Sequence, residues 1–220
     1  MKVLIAITTA ESVCHETMES IYHLVIPAGV QTNLQIIHSY DVASGRNQLV
    51  QMAQAVRADY IFFVDSDIIL PHHALSALYE MDKDIALGTY PRKEPDTIYS
   101  DVPYTTLYKH DMSNREVFHP YFLPLNELPT SGCLPVDCGG LGCALIKTSV
   151  FDKLSFPYFV FVNEPVIKGQ MGYCIGEDMY FFRNCLRADI QPYAEGSVRC
   201  GHIGKFIYRF KNIISNQTAD

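Results

Sequence analysis

The segment "DYIFFVDSDIILPHHAL", residues 59–75, decides the fold and raises the question of function. Its apolar run Tyr60–Val64 has the length and the β-branched and aromatic residues of a buried strand. The run ends in Asp65 and Asp67. Two carboxylates at one strand end repel each other unless a cation or hydrogen bonds compensate, so a bound divalent metal would explain the pair. The alternative is that both aspartates form turns or cap the following helix.

Similar apolar runs lie on both sides of this strand. Val3–Thr8 and Leu34–Tyr40 precede it, Ile85–Tyr90 follows it, and segments with helical spacing separate them. This alternation predicts an α/β fold with a mostly parallel central sheet flanked by helices. Continuous apolar strands agree with that fold, because parallel strands are buried on both faces.

The helix before Tyr60 is predicted from "GRNQLVQMAQAVR", residues 45–57. Its period places Leu49, Met52, Ala53 and Val56 on one face. We expect this face to pack against the sheet.

The bulk composition limits the classes of function. The chain has 220 residues, enough for one domain with a substantial core, and a formal net charge of -7. Such an acidic chain argues against the clustered Lys and Arg of an extended nucleic-acid surface, so no nucleic-acid partner is expected. No apolar run approaches the roughly 18 residues of a membrane helix, so no transmembrane segment is expected. Seven cysteines without a C-x-x-C pair favour a reducing compartment, and we expect a cytoplasmic protein.

Two further polar motifs occur late in the chain. "GEDMYFF" places Glu177 and Asp178 at the start of an amphipathic helix, and "CGHIG" places His202 between two glycines. Acidic residues also favour helix N-termini through the helix dipole, and a lone histidine is often only part of a polar surface. The flanking glycines, however, allow the imidazole to approach a bound ligand.

Taken in order, the motifs D-x-D, G-G-x-G, G-E-D and G-H-x-G resemble those of GT-A nucleotide-sugar glycosyltransferases, above all family 2-type enzymes. "CGGLGCALI" and "RCGHIGK" are also similar to the polypeptide N-acetylgalactosaminyltransferases. The resemblance implies one GT-A catalytic domain over residues 1–210, with a Rossmann-like, mostly parallel sheet and a small antiparallel subdomain. It implies a nucleotide-binding half at 1–90, a loop-rich insert at 91–135, an acceptor and catalytic half at 136–210 and a tail at 211–220.

A metal site follows from this resemblance. Asp67 resembles the carboxylate that binds the metal directly, and Asp65 the one that contacts the ribose or a metal-bound water. His202 resembles the third protein contribution, so the implied metal set is Asp65, Asp67 and His202. Carboxylates with an imidazole favour Mn²⁺, with Mg²⁺ as the alternative.

The resemblance also implies a donor site, which we expect to bind a UDP-sugar. Asp41 is expected to recognise the base, and Arg92, Lys93 and Lys205 to approach the diphosphate. Arg46 either contacts the nucleotide or lies solvated at a helix end. The full set of expected donor-site residues is Thr8, Thr9, Glu11, Asp41, Arg46, Asp65, Ser66, Arg92, Lys93, Asp137, Gly139, Gly140 and Lys205.

The transferred sugar and the catalytic base are assigned in the same way. Asp137 is expected to hold the sugar hydroxyls, and Gly139 and Gly140 to let the backbone approach the sugar, unless both glycines only form a tight turn in the core. Asp178 resembles the base of inverting enzymes, which takes a proton from the acceptor hydroxyl. The charge of Glu177 is expected to raise the pKa of Asp178.

Several alternatives stay open at this point. "GHIG" is similar to a retaining family, so the stereochemical outcome is undecided. A nucleotidyltransferase is a second possibility, although "TTAESVCHETMES" lacks the glycine-rich, basic loop of such enzymes. A sugar-binding module with a degenerate site is the third. The sequence identifies neither the donor sugar nor the acceptor, which is a glycan, a lipid or a protein.

Overall fold

The structure is a computed structural model that describes residues 1–93, 104–110, 120–163, 174–204 and 207–208. The described chain contains, in order, β1 (Lys2–Thr9), α1 (His15–Tyr22), β2 (Gln31–His38), α2 (Val42–Ala55), β3 (Tyr60–Val64), β4 (Ile68–Ile69), α3 (Ala74–Glu80), β5 (Ile85–Thr89), β6 (Tyr104–His110), β7 (Pro120–Pro124), β8 (Cys133–Pro135), β9 (Cys138–Gly139), β10 (Cys143–Lys147), β11 (Val162–Asn163), β12 (Cys174–Ile175), α4 (Glu177–Arg187), β13 (Tyr193–Arg199), β14 (Gly201–Ile203) and β15 (Ile207–Tyr208). Short 3₁₀ helices span Leu125–Glu127 and Thr148–Lys153.

The central sheet contains seven strands of the described chain, in the order β2-β1-β3-β10-β5-β13-β8. The pairs β1–β2, β1–β3 and β5–β13 are parallel, whereas β10 is antiparallel to both of its neighbours and β8 is antiparallel to β13. Five strands therefore run in one direction. The predicted α/β fold with a mostly parallel sheet is confirmed.

Both faces of the sheet are buried, as the continuous apolar strands predicted. In β1, Ile5 and Ile7 belong to one core cluster, while Leu4 and Ala6 belong to the other. Successive side chains of a strand point to opposite faces, so each face receives its own layer. The first cluster includes apolar side chains of α3, and the second includes those of α2 and α4.

The buried face of α2 differs from the prediction. Leu49 and Ala53 are buried, but Met52 is 37% exposed and Val56 is 52% exposed. Val56 lies at the C-cap, beyond the last helical residue, and therefore does not continue the helical stripe. The buried side chains on α2 instead include Arg46, whose burial was not predicted.

A small antiparallel sheet is formed by β7, β6 and β9. It agrees with the predicted antiparallel subdomain. Strands β6, β7 and β8 lie within residues 91–135, the region predicted to be rich in loops. Tyr108 packs on Phe122 here, with ring centroids 4.5 Å apart.

A second small sheet has the order β15-β14-β4 and lies where β3 ends. Its register pairs His202 with Ile68 and Gly201 with Ile69. The backbone N–H of Ile203 donates to the carbonyl oxygen of Asp67 at 2.8 Å. This pairing fixes the end of the described chain against the D-x-D segment.

Two properties of the whole described chain complete the fold. No described helix combines the length and the apolar character that a membrane crossing requires. All seven cysteines lie in the described part, and each is a free thiol.

Candidate active site

The polar motifs meet at one edge of the central sheet. Because β1, β3, β5 and β13 run in one direction, their carboxyl ends lie together. Thr9 ends β1, Asp65 follows β3, Tyr90 follows β5, and His202 comes shortly after β13. Ligands of open α/β sheets bind beyond this edge.

Asp67 and His202 face each other across the small sheet. The Nε2 atom of His202 lies 3.6 Å from Oδ1 of Asp67. The Nδ1 atom of the same ring is 2.9 Å from the carbonyl oxygen of Pro91. A carbonyl only accepts hydrogen bonds, so Nδ1 carries a proton and Nε2 is the nitrogen left to bind a cation.

Lys93 forms an ion pair with the other oxygen of the same carboxylate, Oδ2 of Asp67. Burial opposes the charged form of Asp67, but its contacts with His202 and Lys93 outweigh burial and lower the pKa of this carboxyl. Asp67 therefore stays ionised and attracts positive charge.

Arg46 connects the D-x-D segment to the start of α4. Its side chain is buried, and Nη2 donates to Oδ1 of Asp65 at 2.6 Å while Nη1 donates to Oε1 of Glu177. The alternative of a solvated arginine is wrong, because the helix stripe turns Arg46 toward the core. One guanidinium thus neutralises two carboxylates that would otherwise repel each other.

Asp178 follows Glu177 in the first turn of α4 and points to the same edge. The backbone N–H of Met179 donates to its Oδ1 atom at 2.7 Å. Burial, followed by the charge of Glu177, raises the pKa of Asp178 to about 6, although Arg46 opposes the shift. The sequence prediction that Glu177 raises this pKa agrees with the structure, but burial is the larger cause.

The predicted metal set is only partly assembled. Within the described ranges, no group of three or more His, Cys, Asp and Glu side chains has an arrangement that would hold a metal. Asp67 and His202 do come together, but Asp65 is paired with Arg46 instead. Two atoms each about 2.1 Å from one ion are at most about 4.2 Å apart. The 3.6 Å between Asp67 and His202 therefore suits two ligands of one dication.

The residues predicted to contact the nucleoside lie at the ends of β1 and β2. Thr8 is buried, and Thr9 Oγ1 donates to the carbonyl oxygen of Ser12 at 2.8 Å. Glu11 is exposed nearby. Asp41 caps α2, since its Oδ1 accepts the Ser44 N–H at 2.7 Å, so only its second oxygen is free of this cap.

Ser66 holds α1 against the site through its backbone. Its carbonyl oxygen accepts the backbone N–H of Cys14 at 2.8 Å and the hydroxyl of Thr17 at 3.2 Å. The loop between β3 and β4 is thus tied to α1.

Tyr90 is a part of the site that the sequence did not reveal. Its buried hydroxyl accepts the N–H of Gly142 at 3.0 Å, and its ring lies edge-on to His202 at 5.1 Å. A Cβ at Gly140 would collide with this hydroxyl, and a Cβ at Gly139 would lie 2.6 Å from a methyl carbon of Leu87. Both glycines are therefore closely packed, and Gly139 lies in β9 rather than in a turn; their expected role at the sugar stays a prediction.

The other predicted donor residues are placed as follows. The guanidinium carbon of Arg92 lies 3.7 Å from the ring centroid of Phe122, which indicates a cation–π contact. The backbone N–H of Asp137 donates to the Tyr108 carbonyl at 3.0 Å. Lys205 lies outside the described residues.

The fold of the chain is similar to those of two solved structures. The chain matches A197 from STIV with a TM-score of 0.59 and 20% identity, over 93% of this chain and 86% of that one. It also matches GalNAc-T7, crystallised with UDP, GalNAc and Mn²⁺, with a TM-score of 0.57 and 10% identity. The fold is that of the GT-A glycosyltransferases.

The GT-A match has a defined extent. It covers 96% of this chain but only 44% of the GalNAc-T7 chain. No protein-family model and no curated protein sequence matches the chain. The GT-A likeness therefore concerns the fold, which agrees with the one that the motifs predicted.

Proposed function

We propose that this protein is a metal-dependent glycosyltransferase that transfers a sugar from a UDP-sugar to a hydroxyl group of an acceptor. One observation carries the proposal: Asp67 and His202, from distant parts of the chain, lie 3.6 Å apart at the ligand-binding edge of a GT-A fold. Residues 1–90 would bind the nucleotide, and residues 136–210 would hold the acceptor and the catalytic base.

Asp67 and His202 would hold the metal, with Mn²⁺ preferred and Mg²⁺ as the alternative. The ordinary chemistry of a carboxylate and a neutral imidazole nitrogen supports this choice. Bound there, the dication would neutralise charge on the diphosphate leaving group as a Lewis acid. The Pro91 carbonyl keeps His202 Nε2 turned toward Asp67 in the required tautomer.

The charges at this edge support a cationic ligand. With Asp178 ionised, the four carboxylates of the D-x-D and G-E-D motifs face the two cations Arg46 and Lys93. Among the described residues, the cluster therefore has an excess of negative charge, which a dication would offset. Lys93 would exchange its contact with Asp67 for one with the diphosphate, whereas Arg46 already has two carboxylate partners.

The remaining donor contacts follow from position. Thr8, Thr9 and Glu11 would border the nucleoside, and the free oxygen of Asp41 would recognise the uracil. Asp137 would hold hydroxyls of the sugar. GalNAc-T7, crystallised with UDP, supports a uridine donor in this fold.

Asp178 would act as the catalytic base. Its pKa of about 6 lies close to neutral pH, where a base can both be ionised and accept a proton effectively. The carboxylate would take the proton of the acceptor hydroxyl while that oxygen forms a bond to the anomeric carbon. The bond from this carbon to the diphosphate oxygen would break at the same time, releasing UDP with inversion.

The test is a screen of nucleotide-sugars for Mn²⁺-dependent release of the nucleoside diphosphate. We expect release from a UDP-sugar, and loss of release with Asp178→Asn when an acceptor is supplied. Release from GDP-sugars alone would refute the role of Asp41, and a product that retains the anomeric configuration would refute that of Asp178. Pyrophosphate formed from UTP and a sugar phosphate would identify a nucleotidyltransferase instead.

A further inference from the structure

A cavity lies between α2 and the segment 156–161 that precedes β11. Its volume is about 460 Å³, within the range of roughly 300–1,000 Å³ that small-molecule sites have. Asp41 and Ser44 line it at the N-terminal end of α2, and Phe156 and Phe161 line it from the segment. Asp41 has a proposed role at the uracil, whereas Phe156, Phe161 and the other polar lining residues of α2 have none.

The segment presents two aromatic side chains to the surface. Phe156 is 58% exposed and Phe161 is 50% exposed, although Tyr158 and Phe159 between them are buried. Buried neighbours anchor the segment, so its exposed rings are held in place rather than carried on a loose loop. Two ordered aromatic faces in one cavity suit a ligand with an apolar surface.

Asn47 of α2 fixes this wall. Its Nδ2 atom donates to the Phe159 carbonyl at 2.8 Å, and its Oδ1 atom accepts the backbone N–H groups of Tyr158 at 2.9 Å and of Phe159 at 3.3 Å. One amide side chain thus holds two successive residues of the segment. The cavity is therefore preorganised, which lowers the entropy cost of binding.

The opposite wall is polar and nearly uncharged. Besides Asn47, α2 contributes Ser44, Gln48 and Gln51, which lie at helical spacing along one stripe. Among the described residues that line the cavity, Asp41 is the one charged side chain, and none is a lysine or an arginine. Such a wall disfavours a phosphate or another anion and offers amides that both donate and accept hydrogen bonds.

The segments that wall the cavity are connected to α4, the helix that carries Asp178. Asn47 directly follows Arg46, which contacts Glu177. Phe161 leads into β11, where Val162 pairs with Ile175 of β12, and β12 leads through Gly176 into α4. The elements that line the cavity are thus linked, through backbone pairing and chain connection, to the elements that position Asp178.

We propose that this cavity binds the acceptor and that the acceptor is a saccharide. The proposal rests on the proposed glycosyl transfer. A sugar ring has an apolar face that stacks on Phe156 or Phe161, and its hydroxyls suit the amides of Gln48 and Gln51. The proposed occupant is neutral, whereas the diphosphate of the donor is charged, and Asp41 borders both sites.

The test uses four neutral disaccharides, cellobiose, lactose, maltose and chitobiose, as probes in saturation-transfer difference NMR without metal or nucleotide. At least one probe should bind the wild-type protein. Its affinity should fall about tenfold or more in Phe156→Ala/Phe161→Ala, because both stacking faces are removed. Gln51→Ala should weaken the same probe, whereas Tyr22→Ala, which removes an exposed ring on α1, should not.

The outcomes separate this proposal from the proposed function. Mn²⁺-dependent UDP release to water should be unchanged in the double phenylalanine variant, since the donor site is intact. Saccharide binding without any UDP release would support the saccharide site but refute the proposed glycosyltransferase activity. UDP release without binding of any probe would refute the saccharide site. A probe that the variants bind as well as the wild type does would refute it too. If UDP displaced the probe, the cavity would be the nucleoside site, and the proposal would be refuted. If the wild-type protein formed a dimer that the double phenylalanine variant did not form, the cavity would be part of a dimer interface, and the proposal would also be refuted.

Discussion

Nε2 of His202 lies 3.6 Å from Oδ1 of Asp67 because β14 pairs with β4, the strand that begins directly after Asp67. His202 lies opposite Ile68 in this pairing, and the backbone N–H of Ile203 donates a hydrogen bond to the carbonyl oxygen of Asp67. Backbone pairing thus brings an imidazole to the D-x-D segment without depending on a ligand. The fold itself therefore brings the two proposed metal ligands, Asp67 and His202, together.

Removing Lys93 should change metal binding and nucleotide binding in opposite directions. Lys93 pairs with Asp67, so Lys93→Met removes a competing cation and should strengthen Mn²⁺ binding about two- to fivefold in the absence of nucleotide, as expected for a partly exposed ion pair. The affinity for UDP in the presence of Mn²⁺ should fall, because a diphosphate partner is lost. Electron paramagnetic resonance of free Mn²⁺ and calorimetry with UDP measure the two effects.

Lys153→Met is the matched control for Lys93→Met. Lys153 is an exposed lysine that pairs with Asp84, away from this edge. The control should leave both affinities unchanged. Weaker Mn²⁺ binding by Lys93→Met would mean that Lys93 does not compete for Asp67.

Arg46 should be necessary for stability because it is the shared partner of two carboxylates. Arg46→Met leaves Asp65 and Glu177 close together without their cation, which should lower the free energy of unfolding by about 3–5 kcal/mol. Urea unfolding at pH 7.5 measures the loss. The additional change Glu177→Gln should recover part of it, since one uncompensated charge is removed.

The control for Arg46→Met is Arg187→Met, at the exposed end of α4. It should change the free energy of unfolding by less than about 0.5 kcal/mol. If the two variants lost the same amount, Arg46 would have no special role in holding the site.

The rate of transfer should depend on pH through Asp178. Burial and the charge of Glu177 raise the pKa of Asp178 to about 6, so kcat/KM should be half-maximal near pH 6 and level off above it. With an ordinary aspartate as base, kcat/KM would be half-maximal nearly two pH units lower, at about pH 4. Glu177→Gln removes the like charge and should shift the inflection to lower pH. An inflection that stays in place or moves upward would argue against this electrostatic coupling.

The same carboxyl should reduce stability at neutral pH. Its folded pKa of about 6 exceeds the ordinary value, so the native state holds a proton that the unfolded chain releases between about pH 4 and 6. Stability from this group is present below about pH 4 and is lost as the pH rises through 6. Asp178→Asn should therefore raise the free energy of unfolding at pH 8 by on the order of 1–3 kcal/mol.

At pH 4 the difference between Asp178→Asn and the wild type should be near zero, because the wild-type carboxyl is already neutral there. Urea unfolding at the two pH values makes the comparison. An asparagine variant that is less stable at pH 8 would show that the ionised Asp178 has a stabilising partner.

Much of the fold could be predicted from the sequence, because continuous apolar runs identify strands buried on both faces. Tyr60–Val64 is entirely buried, as its apolar run predicts. The end of this run also predicts that Asp65 lies at the carboxyl end of the strand. The order of the motifs predicted that His202 and Asp178 would approach the same edge. Their approach depends on the fold, which the motifs identified through a family resemblance.

The role of Arg46 could not be predicted from its local sequence, because its partners come from distant segments. A signal was nevertheless present: Leu49, Val50 and Ala53 follow Arg46 at spacings of a single helical stripe, and all are buried. The predicted face contained Met52 and Val56 in place of Arg46 and Val50, so the burial of Arg46 was not predicted. The contacts of Tyr90 with Gly142 and of Lys93 with Asp67 also join distant segments, so the sequence alone does not specify them.

The central claim, that Asp67 and His202 bind a dication, is tested most directly by Mn²⁺ binding to the protein without nucleotide or sugar. Electron paramagnetic resonance should detect a bound ion in the wild type, and Asp67→Ala and His202→Ala should each weaken it by at least about tenfold. The exposed-residue controls Asp152→Ala and His23→Ala should bind Mn²⁺ as the wild type does. A wild-type protein that does not bind Mn²⁺, or site variants that bind it as well as the controls, would contradict the account.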